Sequence, residues 1–448
     1  MASAADNLAT SINLAKFSKA TDLKKRLWFT LGALIVFRLL SYVPLPGIDP
    51  TGLAALAQRT QGGVLDFFNT FSGGALERAS LIALGVMPYI TASIVVQLAT
   101  SLSPTLAAIK KEGESGRKKL NQYTRYGTVG LTAVQGWFIA VGMEAGGAVV
   151  EPGTLFRITA VVSLIGGTMF LMWLGEQITS RGIGNGISLI IMAGIVAHLP
   201  TTLVQLLEGG RSGSLDPIRL FGIIIAVIAL VLFICFMERA QRRILIQYPK
   251  RQTQRGVQAD RSHLPLKLNT AGVIPPIFAS SLLLMPLTVS QFAGQRVAGE
   301  SAWSDFIISL NQYLQHGSPV YMLLYGAGII FFSFFYTAVV FNPEETAENL
   351  KRYGGFIPGI RPGKNTETYF DYVLTRITVI GAAYLTIICL LPEYLVSALA
   401  IPFYLGGTSL LIVVNVTMDT VTQIQSHLLA HQYGDLIKKA KLKGGRLR

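Results

Sequence analysis

The stretch GVMPYITAS at residues 85–93 returns almost unchanged as GVIPPIFAS at residues 272–280, with six of nine positions identical. A second stretch is also repeated: GISLII at residues 186–191 matches GTSLLI at residues 407–412 in four of six positions. Short apolar echoes arise by chance, but two of them in the same order along the chain indicate an internal duplication. The repeated proline also interrupts a run that is otherwise apolar enough for a membrane helix.

Composition places the chain in a membrane. Of its 448 residues, 51% are hydrophobic and 14% are charged, and the formal net charge is +14. This balance is typical of a membrane protein rather than of a soluble multidomain protein. The two cysteines, Cys235 and Cys389, lie in apolar runs. They predict neither a zinc site nor a disulfide framework, and we interpret them as ordinary core residues.

Apolar runs that cross roughly 30 Å of hydrocarbon need about 20 residues each. We predict ten transmembrane helices at about 24–43, 78–101, 121–142, 156–175, 184–206, 218–238, 272–293, 319–341, 373–392 and 397–418. The first run follows several basic residues and continues at full length without a small-residue cleavage site. We therefore interpret it as a retained span and not as a signal peptide.

Basic residues set the orientation. If the N-terminal tail (1–23) is cytosolic and ten spans alternate, most of the 38 Lys and Arg residues fall in cytosolic segments, as the positive-inside rule predicts. Both termini, including the basic tail 419–448, are then cytosolic. The cytosolic loops 239–270 and 342–370 are far longer than a helix connection requires. They either contact anionic lipid or act as docking surfaces for RNA phosphates or an acidic protein.

The two echoes relate the second span to the seventh and the fifth to the tenth. Because an offset of five spans is odd, the N-terminal half (24–206) and the C-terminal half (218–418) would have opposite orientations. Such inverted repeats place a functional site near mid-membrane, between the halves. Pro88 and the Pro275–Pro276 pair predict kinked spans that face an interior seam, or else kinks without a function.

The segment between the first two spans, about 64–78, is too short to cross. Leu65, Phe68 and Phe71 are spaced roughly as on one helical face before Gly73 and Gly74 end the run. Two interpretations stay open, an amphipathic helix resting on lipid and a small re-entrant helix folded into a cavity between the halves.

No motif for catalysis or metal binding is present, and the five histidines are scattered. We therefore expect no catalytic residue, no metal and no cofactor. A transporter of a small solute would need charged ligands at mid-depth, whereas the clear intramembrane charge here is Arg38, near the outer end of the first span. An aliphatic passage suits a large substrate that is not specifically liganded, and an assembly scaffold without conduction is the third alternative.

Long strings of the sequence resemble the SecY family, the channel subunits of the bacterial protein-translocation machinery. The clearest strings are FNTFSGGALERASLIALGVMPYITASIVVQL, IKKEGESGRKKLNQYTRYGT, GGTMFLMWLGEQITSRGIGNGISLII, FNPEETAENLKRYGGFIPGIRPGK and PFYLGGTSLLIVV. The resemblance implies an all-α polytopic membrane protein with ten transmembrane helices in two inverted five-helix halves and a short re-entrant plug helix. It also implies a passive, gated channel for unfolded polypeptides that releases transmembrane segments sideways into lipid, and no enzyme activity.

The resemblance assigns residues to each part of the channel. The pore ring would consist of Val86, Ile90, Ile187, Ile191, Ile277 and Ile412. The plug would include Leu65, Phe68, Phe71, Gly73 and Gly74. The lateral gate, formed by spans two, three, seven and eight, would include Thr91, Gln135 and Met285. Partner docking would use Arg243, Arg255 and Arg361, with Arg361 coupling to the motor.

The same resemblance implies a multi-pass location in the bacterial cytoplasmic (inner) membrane. The implied partners are SecE, SecG, the ATPase SecA, the ribosome with its nascent chain, signal peptides, unfolded precursors, anionic phospholipids, SecDF and YidC. Four residues depart from the pattern of the family, Val86 in the ring, Glu77 in the plug segment, and Gly256 and Glu344 in the docking loops.

Overall fold

The computed structural model describes residues 21–53, 69, 72–212, 216–248, 251–253, 256–258, 261–283, 318–399 and 406–444. Helices dominate these residues. In chain order they are α1 (Thr21–Leu40), α2 (Met87–Leu102), α3 (Pro104–Lys111), α4 (Glu114–Ala145), α5 (Thr154–Arg181), α6 (Gly186–Arg211), α7 (Pro217–Arg239), α8 (Ile274–Leu283), α9 (Pro319–Val340), α10 (Pro343–Arg352), α11 (Lys364–Leu399) and α12 (Gly407–Gly444).

The all-α polytopic fold class is confirmed, since each of the ten predicted spans overlaps one of these helices. Within the described residues, five helices are by themselves long and apolar enough to cross a membrane, and α2 with α3 forms a sixth candidate span that bends by 101°. The bend follows from Pro104, which starts α3 and disfavours the helical conformation at the residue before it.

Two span boundaries were wrong. The second span begins at Met87 and not near 78, because residues 78–86 form turns in which Ala79 and Gly85 have positive φ angles of 44° and 56°. The ninth predicted span lies in a helix that runs to Leu399 and the tenth begins at Gly407, whereas we predicted a break between 392 and 397. Pro392 lies inside α11 and does not end it.

The repeated prolines begin helices instead of kinking them, so the predicted kinks were wrong. Pro88 lies in the first turn of α2, and Pro275 and Pro276 lie in the first turn of α8. A proline costs little there, because the first N–H groups of a helix have no intrahelical acceptor. Gly85 and Gly272, two residues ahead of each helix, share a positive φ of 56° and 64°. The repeated phrase therefore encodes the same turn and the same helix start twice.

The second repeated phrase also begins two helices, α6 at Gly186 and α12 at Gly407. Both glycines pack directly against the backbone of the preceding long helix. A Cβ atom on Gly186 would overlap the carbonyl oxygen of Gly175 in α5, and a Cβ on Gly407 would overlap that of Ile388 in α11. Only glycine permits this approach at either position.

A further matched contact joins each of these long helices to the turn before a repeated proline. Gly167 in α5 packs on the carbonyl oxygen of Leu81, and Gly381 in α11 packs near that of Leu268. Leu81 and Leu268 each lie four residues before the glycine of the first phrase. Duplication with inversion stays a proposal for the two halves, and these shared contacts support it.

Gly167→Ala is expected to lower the stability of the folded chain by about 1–3 kcal/mol, because the new methyl group must displace the Leu81 carbonyl. The neighbouring Gly166→Ala offers a matched control, since a Cβ at Gly166 meets no atom within 4 Å. Thermal unfolding in detergent measures both variants. Equal melting temperatures would contradict the contact on which the helix packing depends.

The two long loops that were predicted to be cytosolic fold together, which the sequence did not reveal. Strands β1 (Gln241–Gln247) and β4 (Arg261–Lys267) form an antiparallel hairpin, and β2 (Arg251–Thr253) pairs with β3 (Gly256–Gln258). The second loop joins this hairpin through two backbone hydrogen bonds of 2.9 Å between Gln247 and Phe356. A common apolar core lies beneath them, formed by Ile244, Leu266, Ala347, Ile357, Phe370, Val373 and Ile377.

Candidate pore, plug hinge and gate

The six aliphatic residues assigned to the pore ring lie in or against one apolar core cluster. Five of them are at most 8% exposed, namely Val86, Ile90, Ile191, Ile277 and Ile412, and Ile187 is partly buried against the same cluster. None of the five is turned toward lipid. The assignment to a ring stays a prediction, and their burial supports it.

The repeated phrases explain how the residues reach this position. Each of α2, α6, α8 and α12 begins with one of the four phrases, and the ring residues lie within or just before its first two turns. At the start of α6, the Asn185 side chain accepts hydrogen bonds from the N–H groups of Ile187 and Ser188 and so fixes the first turn. The apolar side chains of all four helix starts thus enter one core.

A collar of aliphatic side chains forms a particular kind of barrier. A narrow apolar constriction tends to lose its water, which raises the free energy of an ion inside it. Contacts between aliphatic groups are non-directional, so the collar yields to an extended chain of any sequence. The arrangement suits a seal that opens around a polypeptide and forms no specific bond with it.

The plug residues Leu65, Phe68 and Phe71 lie outside the described residues, whereas the glycines that follow them are described. Gly73 and Gly74 have consecutive positive φ angles of 69° and 79°, a conformation that side chains disfavour. A Cβ on Gly73 would lie 3.1 Å from the Cα of Gly194 in α6. The backbone of Gly73, at the hinge of the proposed plug, therefore packs directly against the backbone of α6.

Two arginines hold this hinge, and sequence reasoning did not find them as a pair. The guanidinium groups of Arg38 in α1 and of Arg78 each donate a hydrogen bond of 2.7 Å to the carbonyl oxygen of Gly73. Both also lie on the ring of Tyr42, at 5.0 and 4.4 Å from its centroid. We call Arg38, Arg78 and Tyr42 the arginine clamp. The signal in the sequence was the intramembrane charge of Arg38, which gave no indication of its partner.

Glu77, one of the departures from the family pattern, supports the same segment. Its carboxylate accepts a hydrogen bond of 3.1 Å from the amide nitrogen of Asn69, and its backbone N–H donates one of 3.1 Å to the Asn69 side-chain oxygen. The backbone N–H of Gly74 also donates to the Asn69 carbonyl oxygen at 2.8 Å. Asn69 is buried, so Glu77 satisfies a polar side chain inside the fold.

The residues assigned to the lateral gate are only partly described, since Met285 lies outside the described residues. Thr91 is half-buried on α2, where its hydroxyl donates to the Met87 carbonyl oxygen at 3.1 Å. Gln135 is half-buried on α4, which packs against α2, and its buried Oε1 atom has no hydrogen-bond partner among the described residues. An unpaired buried amide oxygen costs free energy, so this seam is polar at Gln135.

The residues assigned to partner docking that the structure describes are exposed. Arg243 lies on β1, and Arg361 lies in a turn between Gly359 and Gly363, which have φ angles of 84° and 108°. The hydroxyl of Thr366 donates to the Arg361 carbonyl oxygen at 3.1 Å, which stabilises the turn, and the residue is exposed. Arg255 lies outside the described residues.

Glu344 has a local structural role. It lies in the first turn of α10, where its backbone N–H donates to the Asn342 side chain at 3.1 Å, and where a carboxylate complements the helix dipole. This departure from the family pattern stabilises a helix start. No cluster of three or more metal-binding side chains occurs among the described residues.

A multi-pass helical protein in which four matched helix starts meet in one buried aliphatic cluster, and in which two long loops fold into one lobe, has the features of the class of protein-conducting channels. The SecY family model matches residues 80–421. Two relatives, both described as protein translocase subunit SecY, are 55% identical to the chain. The Escherichia coli K12 protein aligns over 428 residues, 94% of this chain and 96% of its own length, and the Vibrio cholerae protein over 430 residues, 95% and 96%. The chain therefore belongs to the SecY family.

Solved structures share the fold. A structure described as that of a protein conducting channel superimposes with a TM-score of 0.64 at 18% identity, covering 90% of this chain and 92% of its own. Sec61 in a canine ribosome–channel complex from the endoplasmic reticulum gives 0.63 at 18% identity, with the same coverage. At 18% identity the likeness shows that the architecture is shared. The role of each residue is inferred from the contacts that it makes in this chain.

Proposed function

We propose that this chain is the central pore subunit of the Sec translocon. It forms a passive, gated conduit through which unfolded secretory polypeptides cross the cytoplasmic membrane and from which transmembrane segments move sideways into lipid. The observation that carries this proposal is the single buried cluster in which the aliphatic starts of α2, α6, α8 and α12 come together. The membrane location is the bacterial inner membrane, with both termini in the cytosol.

The energy for transport would come from partners. The two cytosolic loops form one platform that presents Arg243 and Arg361 to solvent, and this platform is where SecA or a ribosome with its nascent chain would dock. The strongly exposed apolar faces of the long helices leave room for SecE and SecG, and the basic cytosolic segments suit anionic phospholipids. SecDF and YidC would assist the same route.

Crosslinking of a stalled precursor tests the conduit. A photoreactive amino acid placed at Ile191 and at Ile412 is expected to form adducts with the precursor, because both side chains would line the path. The adjacent Ile190 and Leu411 are matched controls, since they are equally buried but point to other sides of the same helices. Equal labelling at all four positions, or labelling at none, would count against the assigned path.

Arg361→Glu is expected to slow motor-driven export about tenfold or more, which corresponds to ~1.4 kcal/mol of coupling, and to affect ribosome-driven membrane insertion less. The reason is that a reversed charge in a rigid turn repels an acidic partner surface. Export of a SecA-dependent precursor and insertion of a multi-span protein are measured side by side. Lys351→Glu, an exposed cation on α10 of the same loop, is the control, and equal loss in both assays would remove the specific role.

A further inference from the structure

The turn that connects α5 to α6 lies directly before the second repeated phrase, which contains Ile187 and Ile191 of the assigned ring. We call residues 182–185 the α5–α6 turn. Because α6 begins at Gly186, a shift of this turn would shift the first turns of α6 with it. The contacts that hold the α5–α6 turn therefore help to set where two of the six ring residues lie.

Side chains from distant helices hold the backbone of the α5–α6 turn. The backbone N–H of Ile183 donates to the hydroxyl oxygen of Thr30 in α1 at 3.1 Å. The backbone N–H of Gly184 donates to the side-chain oxygen of Gln423 in α12 at 2.8 Å. These acceptors lie 153 and 239 residues away along the chain. Backbone groups outside helices and sheets depend on such partners, so α1 and α12 together define the path of the turn.

Apolar packing holds the turn between the same two helices. Ile183 is 3% exposed and lies in a small cluster with Leu23 of α1. Ile424 and Leu428 of α12 pack against this cluster. All of these α12 contacts come from the segment 419–448, which the sequence indicated only as a basic tail. The first part of that segment is a continuation of α12 that is packed on the fold.

One face of α12 reaches both the ring and the α5–α6 turn. Gln423 follows Ile412 by eleven residues, close to three full helical turns, so the two side chains share a face and lie about 16 Å apart along the axis. Nearer to Ile412, the hydroxyl of Thr417 lies 3.5 Å from the sulfur of Met192 in α6. A single helix of the C-terminal half thus provides one ring residue and also contacts the start of the helix that provides two others.

We propose that Gln423 is a positioning residue for the resting seal. Its side-chain oxygen joins the α5–α6 turn to α12 and keeps the ring residues of the two halves in register while no polypeptide is present. A single exposed hydrogen bond contributes little to stability, so this one breaks when the halves move apart and forms again when they close. The inference rests on the proposed function, because it takes the six aliphatic residues as the seal.

Ion flux from reconstituted vesicles, without precursor or motor, tests this role. Gln423→Leu removes the acceptor and is expected to raise the resting flux about threefold to tenfold, the range that loss of one neutral hydrogen bond allows. Gln423→Glu keeps an acceptor oxygen and is expected to stay within about twofold of the unchanged protein. Gln425→Leu is the matched control, because Gln425 is exposed on the same helix and has no hydrogen bond to the turn among the described residues.

Hydrogen exchange and thermal unfolding separate positioning from a general loss of stability. The N–H of Gly184 is expected to exchange faster in Gln423→Leu than in the control. The melting temperatures of the variants are expected to be alike, because one exposed hydrogen bond is a small part of the stability of a chain of this size. An equal leak in the two leucine variants, or a leak in Gln423→Glu as large as in Gln423→Leu, would overturn the proposal.

A parallel measurement distinguishes failure of this inference from failure of the proposed function. Vesicles in which Ile90, Ile191 and Ile412 are replaced with threonine test the ring directly. If they leak and the Gln423→Leu vesicles do not, the ring is correct and the positioning role is wrong. If neither leaks, the ring itself is wrong and the inference falls with it.

Discussion

Vesicles that contain the triple variant Ile90→Thr, Ile191→Thr, Ile412→Thr are expected to leak small ions at least about tenfold faster than vesicles with the unchanged protein. Threonine keeps the β-branched shape but adds a hydroxyl group that retains water. A collar that holds water no longer excludes ions by dewetting, and the barrier falls without any change in the helices. Dye-reported potassium or chloride flux from reconstituted vesicles, without precursor or motor, measures the effect.

The control for this variant must bury the same hydroxyl groups in the same core. Ile178, Ile329 and Leu385 belong to the same apolar cluster and are fully buried, but none is assigned to the ring. Replacing these three residues with threonine is expected to lower the stability of the protein to a similar extent. Vesicles that contain this control variant are expected to leak ions no faster than vesicles with the unchanged protein. If the ring variant stayed as tight as the unchanged protein while folding normally, the six residues would not form the seal.

The sequence predicted the parts of this fold that depend on long patterns. Each of the ten apolar runs overlaps a helix, because a run of that length can satisfy its backbone in lipid only as one. The repeated phrases contain all six residues assigned to the collar, so the sequence alone drew attention to them. Both signals involve many residues, so the errors at single positions did not matter.

Features that depend on a single backbone angle or on contact between distant segments were not predicted. Pro88 was expected to kink a helix but starts one, since the turn before it depends on the positive φ of Gly85. The joining of the two long loops includes the backbone pairing of Gln247 with Phe356, which leaves no pattern in either sequence. Arg38 was visible as an isolated charge, yet its acceptor is a carbonyl oxygen 35 residues away.

The double variant Arg38→Gln, Arg78→Gln is expected to release the glycine hinge and to raise the resting ion flux. Each guanidinium donates a 2.7 Å hydrogen bond to the Gly73 carbonyl oxygen, and a hydrogen bond from a charged group contributes about 1.5–3 kcal/mol. Loss of one such bond would raise the open population about tenfold or more. Hydrogen exchange at residues 72–80 and ion flux from vesicles report the hinge and the seal separately.

The two single variants reveal whether the arginines act together. Because both positive charges lie on the Tyr42 ring and repel each other, each single replacement removes a hydrogen bond but also removes that repulsion. The double replacement removes both bonds and relieves the repulsion only once, so its effect is expected to exceed the sum of the singles. Arg219→Gln, an exposed cation near Asp216, is the control and should change neither readout. Strict additivity, or a hinge whose exchange is unaltered in the double variant, would mean that the arginines do not hold the hinge as one unit.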